Sequence, residues 1–201
     1  IKSGGAAANT TLLDHGTLYV AKFNADGKGQ WMAMTHGQGP LTAANGFADQ
    51  AEVLIKSRQA SDLLGATKMD RPEWGALNYR NGEVYFALTN NSAANRTPSK
   101  VDPANPRAYM DPDGTKGAGN PNGHIIRFRE ADQKATAKAF AWDIFLFGAE
   151  EDSGDANLSG LSSKNAFSSP DGLWFSKATG ICWIQTDDGA FTDETNCMML
   201  A

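Results

Sequence analysis

The chain has 201 residues, 41% of them hydrophobic and 20% charged, with a net charge of −5 and a pI near 5.1. That balance excludes a basic nucleic-acid surface, and no apolar run approaches the length of a membrane span. The chain is long enough for one domain with a real core, and an anionic substrate would need cations placed locally, because the global charge opposes it.

In chain order, "LLDHGTLYVAKFNADGKGQWMAMT" reads as strand, an "ADGKG" turn, and strand. "GFADQAEVLIKSRQASDLLG" predicts a helix near 45–64, with Phe47, Val53, Leu54, Leu63 and Leu64 on one side and Gly65 as its stop. "WGALNY", "RNG" and "EVYFALT" predict a β-hairpin. Residues 91–123 hold five of the eight prolines and read as a long loop insertion, with a lid, a partner surface or a flexible segment as its possible roles. "HIIRFRE" and "TAKAFAWDIFLFG" predict a further strand pair, "EEDSGDANLSGLSSKN" a second loop, and "GLWFS", "KATG", "ICWIQT" a third hairpin. No βαβ alternation is present, so the class is all-β with a minor helix rather than a parallel sheet. Cys182 and Cys197 lack a CxxC spacing or a nearby His, which argues against zinc; a disulfide is possible, and two unpaired cysteines are the simpler expectation.

One internal repeat narrows the architecture. "RPEWGALNYRNGEVYFALTNN" and "SPDGLWFSKATGICWIQTDD" each run from Pro and an acid, through a strand and a Gly turn ten residues after the Pro, to Thr plus two Asn or Asp. Pro72 and Pro170 are 98 residues apart, about two propeller blades, so 1–201 reads as a single propeller region of a larger domain. Strand ends of successive blades converge on a central channel. Glu73 and Asp171 share one repeat position; Asn90 and Asn91 share another with Asp187 and Asp188. Asp after Pro and Asn after a strand are ordinary turn formers, but Glu73, beside Trp74, is not. A ring of such oxygens suits a hard cation, calcium above all. In "HIIRFRE", strand alternation puts Arg127 and Arg129 on one face and Phe128 with Glu130 on the other. This is either a surface ion-paired edge or an arginine fork for phosphate or carboxylate with an acid for metal.

"MDRPEW", "VYFALTNN", "NPNGHIIRFRE", "FSSPDGLWF" and "WIQTDDGAF", together with "SRQASDLLGATKMDRPEW", resemble in order the signature stretches of PhoX-type alkaline phosphatases, over most of residues 12–195. The resemblance implies a six-bladed β-propeller with inserted helix and long loops. It implies hydrolysis of small phosphate esters with Ca2+ and Fe3+, and bacterial export, by the twin-arginine route, to the periplasm or beyond. Glu73, Glu130 and Asp171 then map onto carboxylates of the metal cluster, and Arg127 or Arg129 onto the phosphate clamp. The family's iron-binding Cys-Glu-Glu stretch has no match here, nor do its segments past "MMLA". The expectation is a partial chain, completed by the remaining part of the same propeller and inactive alone. Two other readings use the same residues: a calcium-dependent propeller lactonase, which would not need the arginine, and a non-catalytic scaffold with structural calcium.

Overall fold

The structure, a computed structural model, describes residues 5–11, 14–112, 118–187 and 197–201. It forms two compact units, Ile1–Lys22 with Trp31–Ala66, and Phe23–Gln30 with Thr67–Ala201. Strands β1 (Tyr19–Phe23) and β2 (Lys28–Ala33) make the first predicted hairpin. Its turn closes where Asn24 N–H donates to Lys28 O at 2.9 Å, with Gly27 at φ 74°, a conformation that residues other than glycine rarely adopt.

The first unit also contains α1 (Ala6–Asn9), α2 (Gln50–Ile55) and α3 (Ser57–Leu64). The single helix expected over 45–64 is therefore two. Lys56 leaves helical geometry between them, at φ −93°, ψ 35°. Asp49 caps α2 by accepting from Glu52 N–H at 2.9 Å, and the Glu52 carboxylate reaches back to Ala48 N–H at 2.9 Å, a near capping box. The break re-phases the apolar stripe. Phe47, Val53 and Ala60 join Met34 and Leu41 in the core with Leu64 against them, whereas Leu54 and Leu63, expected on the same side, are 46% and 48% exposed. Gly65 stops α3 in the left-handed region, as predicted.

The second unit is mostly β. β3 (Pro72–Asn78), β4 (Glu83–Leu88), β5 (His124–Glu130) and β6 (Ala139–Phe147) form a consecutive antiparallel meander, the kind of unit from which propeller blades are built. Residues 28–30 of β2 pair with 139–141 of β6. β7 (Pro170–Phe175), β8 (Cys182–Thr186) and β9 (Met199–Leu200) form a second antiparallel sheet. The two sheets pack face to face: Ala76, Tyr85, Ala87 and Ile125 of the first meet Leu173, Phe175 and Ile184 of the second. The first sheet's other face carries an aromatic cluster, with the Phe23 ring 5.0 Å from Phe140 and 5.2 Å from Trp142.

The internal repeat is real at the level of register. Pro72, Gly75 and Ala76 pair with Leu88, Phe86 and Tyr85; Pro170, Leu173 and Trp174 pair with Thr186, Ile184 and Trp183, and the same irregularity follows each proline. Two expectations are corrected by it. The 98 residues between the prolines hold β3–β6, four strands of a single sheet, rather than two blades, because long loops take up the difference. The alignment of "TNN" with "TDD" is also one residue out. In register Asp187 stands where Thr89 does, and the counterpart of Asn90 is position 188, outside the described residues. A one-residue slip in a strand exchanges the two faces.

The prolines of 91–123 suggest a lid, a partner surface or a flexible segment, and the described residues of the stretch, 91–112 and 118–123, are tied to the body of the second unit. Its described part is drawn inward, with Arg96, Asn105, Arg107, Asn120 and Asn122 all buried, and bridges tie Asn91 to Asn120 and Tyr109 to Gly119. Gly123, at φ 65°, lets it return to β5, since a Cβ there would overlap the carbonyls of Thr89 and Leu88. Cys182 and Cys197 form no disulfide, and burial pushes the Cys182 thiol up to about 11.

Candidate functional site

Both prolines of the repeat follow a residue in the left-handed region that is not glycine: Arg71 at φ 51° and Ser169 at φ 53°. Each such residue presents its carbonyl to the end of the neighbouring strand pair. Thr89 N–H donates to Arg71 O at 3.2 Å and Asp187 N–H to Ser169 O at 3.0 Å. Strained non-glycine backbone of this kind persists where the surroundings over-determine it. Here it sits where the β3/β4 and β7/β8 strand ends meet.

Side chains link the two ends. Arg71 Nη1 donates to Asn90 Oδ1 at 2.7 Å, and Asn90 Nδ2 donates to Ser169 Oγ at 3.0 Å. Arg71 Nη2 lies 3.8 Å from Glu73 Oε1, and the Arg71 side chain is 59% exposed. A guanidinium thus stands in solvent between a carboxylate and an amide. Asp171 is half-buried in a cleft of about 580 Å³ with Trp74, Thr186 and Met199 among its walls. Asp187 is exposed and joins this end through its backbone.

Beneath lies a buried polar network that fixes the strand ends. Asp70 is fully buried and accepts from Arg96 Nε at 2.8 Å, Asn91 Nδ2 at 2.7 Å and Asn120 Nδ2 at 3.0 Å. Its own N–H donates to Asn105 Oδ1 at 2.9 Å. Asn91, expected among metal ligands, spends its amide nitrogen on Asp70 and its Oδ1 on Ser92 N–H at 3.0 Å. His124 Nε2 meets the Ala104 carbonyl at 2.7 Å and Nδ1 meets Asn120 Nδ2 at 3.1 Å, so a neutral ring protonated on Nε2 satisfies both partners. Burial, with the Arg107 and Arg96 charges adding to it, pulls this imidazole down to about 4. Arg107 donates to the carbonyls of Gly148, at 2.7 Å, Ala156, at 2.9 Å, and Gly123, and to Asn120 Oδ1 at 2.9 Å, pinning the loop to the sheet.

The "RFRE" residues lie elsewhere. β5 pairs His124 with Leu88 at the end just described and carries Glu130 six residues away, roughly 20 Å at strand rise. Arg127 grips Asp143 through two bonds of 2.7 and 2.8 Å, and Arg129 reaches Glu83 at 2.7 Å. Tyr85 OH also donates to Glu83 at 2.8 Å. Chiefly through its bond to Asp143, Arg127 is held even more firmly protonated than an ordinary arginine. Arg127, Arg129, Glu83 and Asp143 line a cleft of about 230 Å³ in which two arginines face two carboxylates. Glu130 pairs across from Phe140 at the start of the turn Ala131–Gln133. The structure therefore brings Glu73, Asn90, Asp171 and Asp187 to one end of the sheets, and leaves Arg127, Arg129 and Glu130 at the other. Arg71 is the residue that reading the sequence for sites passed over. The signal was present in "MDRPEW", a charge directly before the repeat proline.

Among the described residues, no group of three or more His, Cys, Asp or Glu side chains is placed to hold a metal. Glu73, Asp171 and Asn90 nevertheless offer oxygen donors of the kind that hard cations take. They fit part of a coordination shell rather than a whole one.

The sequence profile of the family described as alkaline phosphatase PhoX matches residues 1–200. Among solved structures, Pseudomonas fluorescens PhoX in complex with vanadate, a transition state analogue, resembles this chain with a TM-score of 0.84 and 41% identity; the match covers 100% of this chain and 36% of that one. This chain thus spans about a third of that relative. No curated protein matches.

Proposed function

This chain belongs to the family of PhoX alkaline phosphatases, and from that premise we propose that the protein hydrolyses phosphate monoesters at the Pro72 and Pro170 strand ends, with Arg71 as the phosphate-orienting cation. The carrying observation is the exposed Arg71 guanidinium between Glu73 and Asn90. Phosphoryl transfer is mostly positioning and charge neutralisation, and a planar fork suits two phosphoryl oxygens. Glu73 and Asp171, with the Asn90 carbonyl, would contribute to a calcium and iron site. When bound, such cations neutralise charge on the phosphoryl group and lower the pKa of a bound water. The periplasmic or extracellular placement, with twin-arginine export, belongs to the same proposal; no helix among the described residues is long and apolar enough to cross a membrane.

A second reading places the phosphate clamp on Arg127 or Arg129, and the cleft that they line favours it. A phosphate dianion there would have to displace Asp143 and Glu83, which already neutralise both arginines. The Arg71 site carries no such cost beyond Asn90 and a distant Glu73.

The test uses the protein expressed from its complete reading frame, assayed on p-nitrophenyl phosphate and analysed for metals. Arg71→Ala is expected to lower kcat/KM by about 100-fold, near 3 kcal/mol, with Arg127→Ala close to wild type. Glu73→Gln is expected to lose bound metal. The opposite order of the arginine variants would move the clamp to "RFRE", and a wild type that releases no phosphate would end the reading.

A further inference from the structure

The irregularity that follows each repeat proline has the same form and different contents. Pro72 and Gly75 are three residues apart where their partners Leu88 and Phe86 are two apart, and Pro170 and Leu173 stand in the same relation to Thr186 and Ile184. Each strand therefore holds one extra residue, a β-bulge, a device that re-aims side chains and recurs beside active sites. The bulge holds Glu73 and Trp74 in β3, and Asp171 and Gly172 in β7. The acid is repeated, but an indole in one bulge answers to a bare glycine in the other. Trp74, Asp171 and Gly172 share the cleft of about 580 Å³, with Thr186, Met198 and Met199 beside them. A Cβ at Gly172 would lie 2.6 Å from Gln185 Oε1 and 3.2 Å from Gln185 Cβ, so backbone alone lines the cleft at that point. The Trp74 side chain, 55% exposed, supplies an aromatic wall. The volume is that of a small-molecule site.

We propose that Trp74 is a specificity-determining residue that holds the alcohol half of the substrate: the preferred monoesters carry a planar ring, as a nucleoside 5′-monophosphate does, and that ring stacks on the Trp74 indole while the phosphate lies at Arg71. The inference rests on the phosphatase reading and deepens it. The chain itself brings the two halves together. Glu73, 3.8 Å from the Arg71 guanidinium, directly precedes Trp74; Ser169, joined to Arg71 through Asn90, stands two residues before Asp171. An indole face stacks on flat rings of any hydrogen-bonding pattern, and methionine walls adapt to their outline. The cleft therefore selects for a ring and not for a particular base.

The test compares adenosine 5′-monophosphate with glycerol 3-phosphate in the protein expressed from its complete reading frame. Both are esters of a primary alcohol, so the leaving groups are alike and a difference reports binding. Trp74→Ala is expected to lower the ratio of kcat/KM for the adenosine ester to that for the glycerol ester by about tenfold, the size of a base–aromatic stack, with the loss in KM. Trp74→Phe is expected to keep most of the ratio. Adenosine, which carries no phosphate, is expected to inhibit wild-type hydrolysis of glycerol 3-phosphate competitively. An unchanged ratio in Trp74→Ala overturns the proposal. So does a wild type that hydrolyses both esters and is not inhibited by adenosine, a result that leaves the phosphatase reading standing and decides the matter even if the alanine variant does not fold. A wild type that releases phosphate from neither ester ends both.

Discussion

At the Pro72 end of the second unit, one carboxylate, Asp70, is wholly buried and receives Arg96, Asn91 and Asn120. Toward the Glu130 end of the same sheet, Glu83 and Asp143 meet Arg127 and Arg129, with Arg129 and Asp143 exposed to water and Arg127 half-buried. Both regions look alike in sequence, as charges at strand termini. They differ in dielectric. A desolvated charge must have its partners in fixed positions, or it costs several kcal/mol; a solvated pair can open at little cost. The first region therefore fixes the chain at Asp70, next to Arg71 at the entry to β3, and the second trims a surface.

The largest expected effect comes from breaking the buried side. Asp70→Asn leaves Arg96, itself buried, with only the longer 3.5 Å pair to Asp102 and is expected to destabilise the protein by about 3 kcal/mol. Urea denaturation followed by circular dichroism measures it; a loss under 1 kcal/mol would mean that the loop amides alone hold this end. Next is pH. His124 is neutral in the fold down to about 4, whereas an unfolded histidine takes its proton near 6.5. Stability is therefore full above that value and falls as pH drops from 6.5 toward 4, by roughly 3 kcal/mol at about 1.4 per unit. His124→Gln should flatten that part of the profile between pH 7 and 4.5, and a profile as steep as wild type would assign the loss to other groups. The smallest effect belongs to the solvated side. Arg127→Ala is expected to cost less than about 1 kcal/mol, in keeping with exposed ion pairs, and that remainder should shrink in high salt. A cost near that of Asp70→Asn would erase the contrast between the two ends.

The hairpins were legible because period-two alternation and Gly turns are local properties of the chain. Gly82 and Gly180 lie ten residues after Pro72 and Pro170, and both turn at positive φ as that spacing requires. The repeat was legible for the same reason, to within one residue. Its ragged end could not be placed, because "TNN" and "TDD" look equivalent until the ladder shows Leu88 and Thr186 at the same rung. In the helical segment, composition announced helix but not the break at Lys56, so Leu54 and Leu63 were assigned to the wrong side.

The candidate site divides in the same way. The sequence by itself determined which residue types crowd the strand ends, Glu73 and Asp171 after the prolines and Asn90 after the strand, because repeat position is written in the chain. Only the tertiary structure decided that Arg71 stands with them while Arg127 and Arg129 answer to Glu83 and Asp143. It alone also drew Asn91, Arg96, Asn105 and Asn120 of the proline-rich stretch into a frame around buried Asp70. The physical reason is range. Strand, turn and cap preferences are set by neighbours a few residues away, whereas a buried charge is satisfied by whichever donors the fold brings to it, from 21 to 50 residues along the chain for Asn91, Arg96 and Asn120.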